Sequence, residues 1–339
     1  MKASKIYLFL SIFTVVVSLL SIRFGAVEIT TGEIFSAFAK LFGNGNTLTL
    51  NERIFLEIRL PRAILTLIVG GSLAVGGVLM QGLFLNPIVE PGLVGTSSGA
   101  AFGAALYFTL GTTLNINFGE WTLPIAACAG AAIATFLVFF LAQNRRSAKT
   151  NTISLLLIGI AINALFLSGV GFLSYIARDP QARSITFWNL GTLSGANWHS
   201  VVIVGISSLV CTALGLRYSK QLNALMLGET EAGNLGINIK QLKLKVLIIN
   251  VILIAVATAF TGVIAFVGLV VPHLLRILKG SDNRFLILAS TLAGGVLLSA
   301  ADLLARLLLA PAELPIGIVT TVVGAPWFIY LLRKHEYYF

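Results

Sequence analysis

The stretch RLPRAILTLIVGGSLAVGGVLMQGLFLNPIVEPGLVGTSSGA, residues 59–100, holds an apolar run at 62–82, a turn with two prolines, and the start of a second apolar run at 93–114. A helix rises ~1.5 Å per residue, so ~20 apolar residues cross the ~30 Å hydrocarbon layer of a bilayer. Both runs reach that length, and Arg62 is the one charge in either. Between them, Pro87 and Pro91 interrupt any helix, because proline lacks an N–H and its ring clashes with the preceding turn. Two spans joined by a turn are the unit from which the fold is read.

Working outward, apolar runs of similar length recur at 6–22, 121–142, 152–173, 199–216, 244–260, 262–278, 285–305 and 315–332, which makes ten. The expected fold class is all-α: a polytopic membrane protein with about ten transmembrane helices and a single transmembrane domain over residues 1–339. Composition agrees, since 57% of the chain is hydrophobic and 11% charged, against roughly 25% charged in soluble domains. A soluble enzyme is thereby excluded. The formal net charge of +10 does not indicate nucleic acid, because the basic residues sit between apolar runs and act as topology determinants. With both termini cytoplasmic, 15 of the 23 Lys and Arg fall on inside segments, including Lys2, Arg145, Arg146 and Lys149, and the other eight fall outside. The run from Ile6 to Ile22 follows Lys2 and Lys5 as in a signal peptide, but no small-x-small site follows, so an uncleaved first span is expected. Cys128 and Cys211 lie within apolar runs with no partner at metal-ligand spacing.

Between the spans, four segments are long enough to do more than turn. Residues 23–61 contain Thr31 to Phe42, whose apolar residues recur at helical spacing, followed by Gly43 to Asn46; a short interfacial helix is expected. Residues 174–198 mix charge with two tryptophans, residues 276–284 make a small basic turn, and residues 217–243 form the largest inside loop. That loop reads MLGETEAGNLGINIKQL from Met226; its acids suit a helix N-terminus, and Gly233 and Gly236 end that helix. By composition it is either a lever for a motor protein or a solvated connector.

The spans carry almost none of the ionisable groups that proton or sodium coupling requires. Glu90 falls in a loop, Asp302 in the last turn of a span, and His273 near a cytoplasmic end. No catalytic triad, paired carboxylate, metal motif or phosphate-binding Gly-rich loop is present, so energy must come from another subunit and no cofactor or metal is expected. A secondary carrier or an intramembrane enzyme fits poorly for the same reason.

Four segments in the same order, residues 59–100, the loop from Met226, GVIAFVGLVVPHLLR (262–276) and ADLLARLLLAPAELPIGIVTTVVGAPWFIYLLRK (301–334), closely resemble the FecCD-type permeases that import iron chelates and cobalamin. The resemblance runs from about residue 55 to the C-terminus. It implies a type II ABC importer permease fold of ten spans, in a homodimer in the bacterial cytoplasmic membrane, with two ATPase subunits inside and an extracytoplasmic substrate-binding protein outside. In this reading Gly228 to Gly236 supply the coupling helix, with Glu229, Glu231 and Ala232 exposed at the ATPase contact. Arg59 and Arg62, three apart and so on one face, with Arg306, match the arginines that receive acidic knobs of the binding protein; without the resemblance they read as interface anchors. Asn86, Pro87, Glu90 and Pro91 read as a cytoplasmic turn near the gate or as a structural hairpin, and Pro272 and His273 as a gate contact or as packing. His199 beside Trp198 reads as an interface anchor rather than a haem ligand, and the dense glycines as helix packing. The stretch SITFWNLGTLSGANW, residues 184–198, resembles haem and siderophore importers more than the cobalamin branch.

Overall fold

A computed structural model describes residues 3–25, 27, 29–42, 47–111, 118–142 and 152–334. Lys2, Gly43 to Asn46, Arg145, Arg146 and Lys149 lie outside the described residues. Among the described residues the secondary structure is helical throughout, with no strand. The helices are α1 (Ala3–Arg23), α2 (Thr31–Phe42), α3 (Leu50–Ile54), α4 (Leu60–Phe84), α5 (Thr96–Leu110), α6 (Thr122–Ala142) and α7 (Thr152–Ile176). They continue as α8 (Gln181–Asn189), α9 (Trp198–Leu225), α10 (Glu229–Asn234), α11 (Ile239–Thr261), α12 (Val267–Lys279), α13 (Asn283–Leu307) and α14 (Ile316–Lys334). Short 3-10 turns occupy Pro91–Val94 and Gly119–Trp121.

Every one of the ten expected spans coincides with a helix, and seven helices are long and apolar enough to cross a membrane. The exceptions are informative. At 15 and 13 residues, α5 and α12 reach only about 22 Å and 20 Å, short of the hydrocarbon thickness. Irregular backbone precedes each of them, a 3-10 turn and a left-handed Gly95 before α5 and the non-helical residues 262–266 before α12. In α14 the described apolar helix, Ile316–Tyr330, is also short.

The helix at the centre is α4, buried from Val69 to Phe84. In lipid, helices associate by close packing of small residues rather than by escape from water. Gly70 and Gly294 show how close: a Cβ on either would stand 2.2 Å from the other's carbonyl oxygen, so α4 and α13 touch backbone to backbone. Around this pair α1, α6, α7 and α9 turn Leu8, Phe9, Phe136, Leu165, Phe172 and Leu209 outward, as expected of surfaces facing acyl chains.

Helix α2 forms over the expected residues and packs on Phe55 through Phe38, with ring centroids 5.4 Å apart. A capping box holds the start of α3: the Glu52 amide donates to Thr49 Oγ1, and the Thr49 amide donates back to the Glu52 carboxylate at 2.7 Å. Asn51 and Thr30 hydrogen-bond the Glu33 carboxylate and hold its pKa below the usual value. One turn of π-helix, Phe55–Arg59, then joins α3 to α4. A π turn inserts a residue and shifts the helical phase.

Candidate functional site

The bundle has two chemically distinct ends, one carrying α8 and the other α10. At the α10 end, Gly228 has φ 109° and ψ 153°, a backbone region essentially restricted to glycine. It turns the chain out of α9 so that Glu229 and Glu231 enter the first turn of α10, where the helix dipole favours acids. The far end closes as a Schellman motif: the Ile237 amide donates to Ala232 O at 3.1 Å and the Gly236 amide to Gly233 O at 2.9 Å, with Gly236 at φ 80°. Lys243 of α11 pairs with Glu229 at 2.7 Å.

Gly228, Glu229, Glu231 and Gly236 therefore form one protruding element, but Ala232 departs from its expected exposure. It is completely buried and belongs to the main hydrophobic core, so that it anchors α10 on the bundle. The outward face of this element instead carries Glu231 together with Leu227 and Leu235, both about two thirds exposed. Helical geometry explains the change: in so short a helix one position must point back to the body.

The turn at 86–95 does not stay at the membrane surface. Asn86 Oδ1 accepts the Ile88 amide at 2.9 Å, and Asn86 and Pro87 lie by the α10 end. From there the chain re-enters the bundle. Pro91 O accepts from Asn250, halfway along α11, at 3.2 Å, and Leu93 O accepts from Asn163 of α7 at 3.0 Å. Glu90 and Pro91 are thus at depth, and the expected cytoplasmic turn is a re-entrant segment whose buried backbone is satisfied by asparagine side chains, as irregular structure within a bilayer requires.

A second irregular segment meets it. Residues 262–266 are not helical, and Phe266 sits in the left-handed region at φ 69°, an uncommon conformation for a residue with a Cβ. Its amide donates to the Glu90 carboxylate at 3.3 Å. Beyond it, α12 begins against α4: a Cβ on Gly77 would lie 1.8 Å from Gly268 O, and one on Gly268 would lie 2.6 Å from Pro91. Further along α12, Pro272 is buried and His273 is buried with its ring 6.5 Å from that of Phe328 on α14. The structure therefore separates the six expected gate residues. Asn86, Pro87 and His273 line one cavity, Glu90 and Pro91 join Phe266 and Gly268 at the crossing of the two breaks, and Pro272 is buried within α12 between these places.

At the α8 end the three arginines come together, but not as an exposed face. Arg59, Arg62 and Arg306 are each less than a tenth exposed. Arg59, the last residue of the π turn, and Arg62, in the first turn of α4, reach different partners. Arg59 donates to the carbonyls of Phe24 and Val27, both at 2.6 Å. Arg62 donates to Asp302 Oδ1 at 2.9 and 3.1 Å and to Glu313 at 2.9 Å. Arg306 forms an ion pair with Asp302 at 3.0 Å and donates to Phe24 O and Ser21. Glu313 is the exposed member, its side chain 38% accessible. His199 faces Glu120 and Trp121, with an ion-pair distance of 3.4 Å to Glu120. Among the described residues no cluster of three metal-ligating side chains occurs.

Sequence reading missed Phe266 and Glu313. Phe266 carries no sequence signal, because an apolar residue in an apolar run looks helical. For Glu313, its place after Pro311, where a helix cannot continue, was the available clue.

The sequence model of the FecCD transport family matches residues 13–334. The hemin transport system permease protein HmuU of Yersinia pestis is 42% identical over 329 residues, covering 97% of this chain and 95% of that one. The cobalamin import system permease protein BtuC of Halobacterium salinarum is 40% identical over 279 residues, covering 82% and 73%. Among solved structures, an inward-facing metal-chelate type ABC transporter matches with a TM-score of 0.85 at 30% identity, covering 98% of this chain and 100% of that one. Ten helices in the expected order, two of them broken at one crossing, and relatives matched nearly end to end lead to one conclusion: the chain belongs to the FecCD transport family and is a membrane permease of the ABC importer type.

Proposed function

We propose that this chain forms the translocation path of an ATP-driven importer for an iron complex, haem or a ferric siderophore. The observation that carries this reading is the 42% identity to a hemin permease, spread over 97% of the chain. Cobalamin is the second reading, favoured by 40% identity to a cobalamin permease over a shorter 279 residues. In this proposal the chain is a homodimer in the bacterial cytoplasmic membrane, with the α10 end and both termini cytoplasmic. Two ATPase subunits bind there, and an extracytoplasmic binding protein docks at the α8 end. The test is uptake by proteoliposomes holding the chain with its ATPase and binding protein, offered haem, a ferric siderophore and cobalamin in parallel. Uptake of cobalamin alone, or uptake without ATP, would overturn the iron reading or the importer reading respectively.

The coupling role of Gly228, Glu229, Glu231, Ala232 and Gly236 is supported by their shape: a small, capped helix tied to α11 by Lys243 moves as one body. Ala232 seats it, while Leu227, Glu231 and Leu235 face the ATPase. At Gly228 a Cβ meets nothing within 4 Å, so the effect of Gly228→Val is chiefly about 1–3 kcal/mol of backbone strain. In the same proteoliposomes it is expected to leave ATPase binding detectable while lowering uptake per ATP hydrolysed at least fivefold. Unchanged coupling would reduce the loop to a connector.

For docking, the cluster of Arg59, Arg62 and Arg306 against Asp302 and Glu313 carries one net positive charge of its own, and local charge of this kind steers acidic partners more than it binds them. Because the arginines also hold the fold together, Glu313→Gln is the cleaner probe. It is expected to speed association of the binding protein several-fold at low salt, with the gain vanishing at high salt. An association rate indifferent to Glu313 would remove the docking claim. The gate role of Asn86, Pro87, Glu90, Pro91, Pro272 and His273 is supported by the crossing of two interrupted helices beside them.

A further inference from the structure

Pro272 has no N–H, so the Gly268 carbonyl four residues earlier lacks its helical donor. Gln81 of α4 stands in, with Nε2 3.4 Å from Gly268 O and 3.3 Å from Leu269 O. With its nitrogen committed there, the Gln81 amide turns its oxygen the other way, and Arg276 Nε donates to it at 3.3 Å. The guanidinium is thereby fixed in the wall of a cavity of about 510 Å³ at the α10 end, which Gln81, Asn86, Met226 and Ser281 also line. Arg276 Nη2 is buried and donates to nothing. No ion pair of the described residues includes Arg276.

A guanidinium stays charged at neutral pH, and a partly buried charge such as that of Arg276 is costly without a counter-charge. Its planar fork matches the paired oxygens of a carboxylate or phosphate. With Nε on a neutral amide and Nη2 covered by protein, the guanidinium meets a cavity walled mainly by apolar side chains, with Asn86, His273 and Ser281 among its polar groups, and its charge is left to an anion that the described residues do not supply. We propose that this cavity binds an oxyanion, a carboxylate or phosphate group, on Arg276, with Asn86 and Ser281 as neutral polar neighbours. Two sources present that chemistry at this end of the bundle: a phospholipid headgroup and a soluble or translocated acid. The proposal does not depend on which complex is imported.

The test uses the full chain purified in phosphate-free detergent buffer. Thermal unfolding is followed while inorganic phosphate is titrated against chloride at matched ionic strength, for the wild type, R276Q and R276K. Phosphate is expected to raise the wild-type midpoint by several degrees, as binding to the folded state must, and R276Q is expected to weaken the apparent affinity at least tenfold. In chloride alone, R276Q is expected to unfold no lower than the wild type, because it removes an unpaired, partly buried charge. R276K keeps the charge without the fork, and an intermediate response is expected; it carries the comparison if R276Q is not recovered folded. A wild type indifferent to phosphate, or a phosphate response equal in all three proteins, overturns the proposal, as does R276Q unfolding lower in both salts by the same amount. A second arm identifies the source in nanodiscs of neutral or anionic phospholipid. With a headgroup as occupant, anionic lipid stabilises the wild type over R276Q and free phosphate adds nothing further; with a soluble anion, the phosphate response persists in both lipids.

Discussion

Replacing Asp302 by Ala is expected to destabilise the chain by about 3–5 kcal/mol, the range for removing one partner of a buried ion pair. Asp302 is completely buried and is shared by two guanidiniums, receiving Arg62 on one oxygen and facing Arg306 with the other. Its loss leaves both cations with one partly exposed acid, Glu313, which reaches only Arg62. The expected readout is a large drop in the thermal midpoint in lipid nanodiscs and loss of monodisperse protein in detergent. Glu313→Gln supplies the comparison, because an exposed pair contributes about 0–1 kcal/mol. Equal, small effects at both positions would mean that water reaches the cluster and that Asp302 is not its keystone.

The second large effect is expected at Gly77. A Cβ there falls 1.8 Å from Gly268 O and 3.0 Å from Gly268 Cα, and all of these neighbours are backbone that cannot rotate away. Gly77→Ala must push the start of α12 off α4, at a cost of about 1–3 kcal/mol or more for overpacking. The displaced carbonyl is the one that Gln81 satisfies, so the register of Pro91 and Phe266 shifts with it. Uptake is expected to fall at least tenfold, with a lowered unfolding midpoint. Gly171→Ala is the control: nothing lies within 4 Å of its Cβ position, and alanine is favoured over glycine within a helix. Full uptake by Gly77→Ala would show that the crossing tolerates separation and is no gate.

Helix positions were legible because length and apolarity alone decide what lies in a bilayer, and every window from 6–22 to 315–332 found its helix. The interruptions were less legible. Residues 262–266 are as apolar as a span, so hydropathy runs through them; what breaks the helix is Gly262 packed on Trp188 O and Phe266 wedged over Gly324. The re-entrant path of 86–95 was half legible, since the prolines announced a turn but not its direction, which Asn250 and Asn163 set from distant helices. The arginine cluster shows the same limit. A spacing of three put Arg59 and Arg62 on one face of a helix, whereas the carbonyls of Phe24 and Val27 and the carboxylate of Asp302, 240 residues from Arg62, decide where they point. In the α10 loop local sequence sufficed for the caps, because glycine backbone and acidic first turns are local properties, while the burial of Ala232 is not.

The way α1 is fastened bears on how the chain is made. Its last carbonyls, at Ser21 and Phe24, receive Arg306, a residue 282 positions later than Phe24. A ribosome must therefore translate nine of the ten apolar segments before this contact exists. Until then Arg59 is the one of these two arginines that reaches the end of the first helix, and chains terminated short of residue 306 never close that joint. Sealing of the α8 end around the first helix thus waits on the ninth apolar segment rather than on the helix's own neighbours in sequence.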